Sequence, residues 1–206
     1  MAFFDFLFGS KKQSNVEVIP DHIWMTTDAK FTGLTKDAQD RSRSGAVAVL
    51  LVAHFPDVLA RLEQIASQKI WAVPCRAIPA SHLNQELAVS LRLGESAIID
   101  IVIGERHPLP SADDQLREFA GGLPCRCRIS QHLSLEDPVI KAFAGDWVKD
   151  MLKKLGMRDD EAIESQMVSR RIRRAQQKIE GRSLGSLHAD SAAEWLELNC
   201  PELSLD

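Results

Sequence analysis

Residues 46–53 read Ala-Val-Ala-Val-Leu-Leu-Val-Ala, and residues 97–103 read Ala-Ile-Ile-Asp-Ile-Val-Ile. A strand with one wet face alternates apolar and polar residues. Near-continuous apolar runs of this length suit strands buried on both faces, as in a parallel sheet covered by helices. The stretches around them alternate in character. Residues 56–67 place Val58, Leu59, Leu62 and Ile65 at helical spacing, 70–78 is strand-like, and 80–93 is helical. A short helix is expected over 113–120 and a fourth strand over 127–133. This βαβαβ order predicts an α/β fold with a mostly parallel sheet flanked by helices.

Upstream, 16–26 is apolar and β-branched enough for one or two short strands interrupted by Pro20, and Asp28 is a suitable N-cap for a polar helix towards Ser42. Downstream, 135–155 is helical, with Val139, Ile140, Phe143, Trp147, Val148, Met151 and Leu152 three or four residues apart, and Gly156 ends it. A second long helix is expected over 159–181. A Gly/Ser joint at 183–186 and a short last helix over 191–198 follow. The organisation expected is a leader and linker (1–15), an α/β domain (16–157) and a C-terminal helical extension (158–206).

The 206 residues suit one domain with a small appendage. The formal net charge of −4, from 25 basic and 29 acidic side chains, argues against a generic nucleic-acid binder. Four cysteines (Cys75, Cys125, Cys127, Cys200) do not resemble a secreted disulfide framework, so a cytoplasmic setting is expected. With no tyrosine, no phenol can serve as acid, base or nucleophile. Four of the eight phenylalanines (Phe3, Phe4, Phe6, Phe8) fall in the first eight residues. This start lacks the basic region, apolar length and cleavage site of a signal peptide, and no segment approaches the ~20 apolar residues of a membrane span. Phe3, Phe4, Leu7 and Phe8 share one helical stripe and Lys11 and Lys12 follow, a pattern suited to shallow insertion at an anionic membrane surface or in a partner's groove, while the plainer reading is a segment folded back onto its own domain.

Several stretches resemble one family. Residues 156–182 run Gly-Met-Arg-Asp-Asp-Glu-Ala-Ile-Glu-Ser-Gln-Met-Val-Ser and on through Ala175-Gln176-Gln177-Lys178-Ile179-Glu180-Gly181-Arg182. They are similar to the end of the second motor domain of the SecA preprotein translocase ATPases. His132-Leu133-Ser134-Leu135-Glu136-Asp137 resembles that family's FYLSLED. Ile103-Gly104-Glu105-Arg106-His107 resembles its IGTERH, and Asp114-Gln115-Leu116-Arg117 its DNQLR. Residues 23–30 resemble the domain's entry strand, and FFDFLFGSKK at 3–12 its membrane-active leader. The order holds over roughly residues 20–185. The resemblance implies a RecA-like, P-loop NTPase-type domain.

The chemistry that the family needs is thinned out here. No G-x-x-x-x-G-K-[ST] string or DEAD-like run occurs. Against the family's QLRGRSGRQG this chain reads Gln115-Leu116-Arg117-Glu118-Phe119-Ala120-Gly121-Gly122, so Phe119 and Gly122 stand at the two arginine positions after Arg117. The NMAGRGTD loop has no counterpart, and the chain is too short for a first motor domain beside the second. The expectation is a degenerate, stand-alone, non-catalytic interaction or regulatory module. Its partner would be a protein, with the translocation machinery and a peripheral membrane contact implied by the resemblance. No catalytic residue, cofactor or metal is expected, and the oligomeric state stays open.

The rival is an enzyme or nucleotide binder with a site at the strand ends, where Glu105, Arg106, His107 and Arg117 are the candidates. The plainer reading of 105–107 is a structural turn, and that of Arg117 is a pair with Glu118, Asp113 or Asp114. A second rival is nucleic-acid binding through Arg170, Arg171, Arg173, Arg174 and Lys178, with 170, 173, 174 and 178 on one side of a helix. The plainer reading is a solvated face, balanced at the helix start by Asp159, Asp160, Glu161 and Glu164. Met167, Val168, Ile172, Ala175 and Ile179 are expected to pack. Cys125 and Cys127 are too sparse a pair for zinc.

Overall fold

The computed structural model describes residues 15–144 and 147–203. The leader residues Phe3, Phe4, Leu7, Phe8, Lys11 and Lys12 lie outside the described residues. The chain enters the sheet through Val16–Val18 (β1) and His22–Trp24 (β2), then forms helix Thr27–Arg43 (α1). Ala48–Ala53 (β3), Pro56–Gln68 (α2), Cys75–Pro79 (β4), a 3-10 turn Ala80–His82 and Gln85–Ser90 (α3) follow. Ile98–Ile103 (β5), Pro110–Gly122 (α4) and Arg126–Ser134 (β6) complete the alternation. Last come Pro138–Ala144 (α5), Trp147–Lys154 (α6), Ile163–Glu164 (β7), Gln166–Glu180 (α7) and Ala192–Asn199 (α8).

The strands form one seven-stranded sheet in the order β4-β3-β5-β6-β2-β7, with β1 also on β6. Every pairing is parallel except β2 with β7. This is the mostly parallel α/β architecture that the alternation predicts, and it is consistent with the RecA-like fold that the resemblance implies. All six residues of β3 are buried, because both faces are covered. Leu50 and Val52 join Ile99, Ile101, Leu116 and Ile129 in the layer under α3 and α4. Val49 and Leu51 join Phe31, Leu34, Leu62 and Ile65 under α1 and α2. Each such side chain contributes about 1.5–3 kcal/mol on burial.

β1 and β2 lie end to end along one edge of β6. Val18 sits opposite Ile129 and His22 opposite His132, so residues 19–21 face only residues 130 and 131. That one extra residue, at Pro20-Asp21, turns Asp21 into the interior, where it is buried.

Four local expectations change. Thr26, not Asp28, caps α1: its hydroxyl accepts from the Ala29 amide, and Asp28 stands in the first turn. The strand expected over 70–78 starts only at Cys75, because Trp71 turns back to donate its indole N–H to the Ala66 carbonyl near the end of α2. The 80–93 helix is split, with Asn84 capping α3 through the Leu87 amide. The second long helix starts at Gln166 rather than 159, because Ile163 and Glu164 are extended and pair with Ile23 and His22. Asp159, Asp160, Glu161 and Glu164 therefore precede α7 instead of occupying its first turn. Among the described residues no helix is long and apolar enough to cross a membrane.

Gly33 lies midway along α1, where a Cβ would overlap the indole ring of Trp24. Helix propensity alone favours alanine there by about 1 kcal/mol. Overpacking outweighs it, so Gly33→Ala is expected to lower stability by roughly 1–3 kcal/mol in urea denaturation. A more stable variant contradicts this packing.

Candidate functional site

The connection from β3 through α2 leads one way across the sheet, and that from β5 through α4 leads the other way on the opposite face. Ligands of doubly wound sheets bind at such a reversal, beyond the carboxyl ends of the strands. Here the reversal places His54 and Phe55, after β3, against Gly104, Glu105, Arg106 and His107, after β5. Three of the four strand-end candidates thus come together at the expected place.

Their chemistry is turned inward. Glu105 is 5% exposed, and its Oε1 accepts the successive backbone amides of His54 and Phe55, both at 2.9 Å. Paired amides leading into a helix are the kind of concavity that holds an anion. In this chain a carboxyl oxygen of the protein itself takes that place. Burial pushes Glu105 up to about 8. The neighbouring helix start is closed in the same way: Glu136 Oε2 accepts the Thr27 amide at 2.8 Å while its Oε1 receives Lys149 at 2.6 Å. Lys149 beside it holds the Glu136 carboxyl down at about 2. A cavity of about 470 Å³ opens between these helix ends, lined by Lys30, Asp57, Arg61, Glu105, Glu136 and Asp137 among others. Lys30 is itself buried and tied to Asp137 at 2.8 Å.

Arg106 is 4% exposed and belongs to the frame. Its Nη2 reaches Asp21 at 2.8 and 3.0 Å, and its Nη1 reaches Asp113 at 2.6 Å. Asp113 also accepts from Gln176 Nε2 at 2.7 Å, and the same amide donates to the His107 carbonyl. His54 Nε2 stands 3.2 Å from the other Asp113 oxygen, off the line of a hydrogen bond. Burial would raise Asp113, yet His54 and the Arg106 charge hold it well below the usual carboxylate range. His107 stacks on Phe55 with ring centres 5.2 Å apart and meets Trp195 edge-on at 5.4 Å. Its Nδ1 accepts the Leu109 amide at 2.9 Å. Burial, with His54 adding to it, holds the imidazole down at about 4.

Arg117 lies apart, on α4, with its Nη1 3.2 Å from Asp114. Of the basic residues on α7, Arg170, Arg171, Arg174 and Lys178 are exposed. Arg173 departs from the expected solvated face: it turns in to the Pro110 carbonyl at 2.8 Å and to Asp114. Ile172 and Ile179 are buried and Val168 and Ala175 half-buried, but Met167 is 65% exposed. Cys125 and Cys127 are both buried in the sheet layer.

One cluster escaped the sequence reading. His22, Asp37 and His132 place possible metal-ligand atoms within 4.8 Å of one another. Their atoms are held by protein groups. Trp24 Nε1 donates to His132 Nδ1 at 3.2 Å, which leaves the proton on Nε2 to point at Asp37 Oδ2, 3.1 Å away. Arg41 and Ser130 donate to that same oxygen. A cation there would meet a guanidinium and displace the indole, so this donor set does not suit a metal. The network runs on through Arg41 to Asp100, which also takes a two-pronged contact from Arg128. The signal for it was Asp100 itself, a carboxylate inside an otherwise apolar strand.

Comparison with known proteins matches residues 80–160 to the family model described as the SecA P-loop domain. The chain is 29% identical over 187 residues to the protein translocase subunit SecA of Clostridium acetobutylicum, covering 79% of this chain and 22% of that protein. It is 43% identical over 89 residues to the SecA of Pseudomonas fluorescens and 46% identical over 87 residues to that of Acinetobacter baylyi. Those two alignments cover 43% and 41% of this chain and 10% and 9% of the relatives. The chain thus spans about a fifth or less of the length of the relatives it matches.

The buried groups set the pH dependence. Glu105 has a folded-state value near 8 against about 4.3 unfolded, so between these values the folded state holds the extra proton and stability falls as pH rises. His107, near 4 folded and about 6.5 unfolded, acts oppositely: stability rises with pH across that window. The two slopes cancel between about pH 4.5 and 6.5. Between pH 6.5 and 8 stability is expected to fall by up to about 1.4 kcal/mol per unit. Glu105→Gln, which keeps the amide acceptor but cannot ionise, flattens that fall in urea titrations. An unchanged slope in the variant refutes the assignment.

Proposed function

From the premise that this chain is related to SecA, we propose that it is a non-catalytic module acting by protein contact, on the cytoplasmic side, in association with protein translocation. The observation that carries this reading is the carboxyl of Glu105 on the amides of His54 and Phe55. At the sheet's reversal, where a nucleotide phosphate would need such donors, a side chain of the chain itself takes them. The sequence supports the same conclusion independently. Arginines aimed at a transferring phosphate are worth roughly 10³–10⁵ in rate in related NTPases. At the corresponding positions this chain carries Phe119 and Gly122, with Glu118 adding a negative charge. Arg117 is engaged by Asp114. What remains of the relatives' domain is its shape, which a partner can recognise without turnover.

The purified chain, given ATP and magnesium, is expected to hydrolyse none above the background rate, with Arg117→Ala indistinguishable from it. Hydrolysis that Arg117→Ala abolishes overturns the non-catalytic reading. Crosslinking in the native cell is expected to recover components of the translocation machinery. Their absence beside another stable partner overturns the link to export.

A further inference from the structure

A second cavity, of about 320 Å³, lies between the β1–β2 edge, α4 and the start of α7, away from the Glu105 crevice. Four arginines line it: Arg106, Arg117, Arg170 and Arg173. Guanidiniums repel one another, so their convergence from three separate elements needs compensating negative charge. Arg106 has it in full, from Asp21 and Asp113, and forms a wall rather than a donor. Arg117 and Arg173 share a single carboxylate, Asp114. Arg170, one turn before Arg173 on α7, has no acidic partner among the described residues. Three guanidiniums thus stand at the mouth over one carboxylate; counted with Arg106 and its two aspartates, four guanidiniums face three carboxylates, an excess of one positive charge. Asp21 is the one acidic residue lining the cavity, and it is turned to Arg106. The other polar lining offers donors: the Gln166 amide, and the Ser169 hydroxyl, whose oxygen accepts the Asp21 amide at 3.0 Å and leaves its proton free to donate.

We propose that this cavity is a binding site for a phosphate group, with Arg170 as its principal donor and Ser169, Arg173 and Arg117 completing the cradle. Planar guanidiniums match tetrahedral oxyanions through paired N–H donors, which is why phosphate sites favour arginine. The cavity is at the small end of ligand sites, so it accommodates the phosphate with little more than its immediate substituent. Such a phosphate has two sources, a free phosphate or soluble phosphoester and the headgroup of an anionic phospholipid. The geometry of the donors is the same for both.

The test titrates inorganic phosphate into the full chain at constant ionic strength, followed by calorimetry and by arginine side-chain NMR shifts. A flotation arm uses phosphatidylglycerol vesicles, with phosphatidylcholine vesicles beside them. Two variants each remove one charge: Arg170→Gln inside the cavity, and Lys154→Gln on α6. Both sites are exposed, so both variants are expected to fold as the parent by circular dichroism. The expected result is saturable one-to-one binding that Arg170→Gln weakens about tenfold or more and Lys154→Gln leaves unchanged. Arg170-dependent flotation on phosphatidylglycerol, competed by free phosphate, identifies the lipid headgroup as the source. Saturable phosphate binding without flotation identifies the soluble anion. Neither saturable binding nor Arg170-dependent flotation, or equal weakening by both variants, overturns the site.

Discussion

A guanidinium buried as deeply as that of Arg106 cannot leave water without counter-charges of its own. Arg106 draws them from distant parts of the chain: Asp21 at the break between β1 and β2, and Asp113 on α4. Gln176 of α7 then binds both Asp113 and the His107 carbonyl. One side chain thus ties the sheet edge, the strand-end loop, a covering helix and the C-terminal helix into a single arrangement. Removing Arg106 would strand two carboxylates in the interior, a loss of roughly 3–5 kcal/mol. The extra residue at Pro20-Asp21 follows from the same demand, since it is what brings the Asp21 carboxylate inside. The crevice and the arginine-lined cavity are the two sides of this joint.

The same joint decides what the strand ends can do. A sheet of this topology offers its reversal as a binding place. Here the offer is answered from within, by Glu105 across the reversal and by Glu136 at the start of α1. Both carboxyls sit on helix-leading amides, where a bound anion would otherwise gain most. The helix-leading amides at both places are thus filled from within the chain. Its polar surface lies elsewhere, along the outer side of α7.

Much of the sheet was legible because buried parallel strands write themselves as unbroken apolar runs. β3 and β5 are read directly from 46–53 and 97–103, and the helices between them from three- and four-residue spacing. What was illegible depended on distant partners. Ile163 and Glu164 are extended only because β2 lies beside them, and nothing within 159–181 announces that. Arg173 reads as one more solvated arginine until Asp114, almost sixty residues earlier, is seen beneath it. At the candidate site, residues 105–107 were found from the family-like run and the strand-end rule. Their inward orientation was not, because it rests on His54, Phe55, Asp21 and Gln176, which no local pattern connects to them. The His22–Asp37–His132 cluster was missed for the same reason.

The interrupted first strand also sets a timetable. β1 and β2 form parallel ladders only with β6, about 110 positions further along the chain. A ribosome adding about 5–20 residues per second needs roughly 5–20 s to deliver that partner. For that interval the backbone of residues 16–24 has no β6 to pair with. This stretch of the sheet is therefore left open in a nascent chain until residues 127–134 have been made.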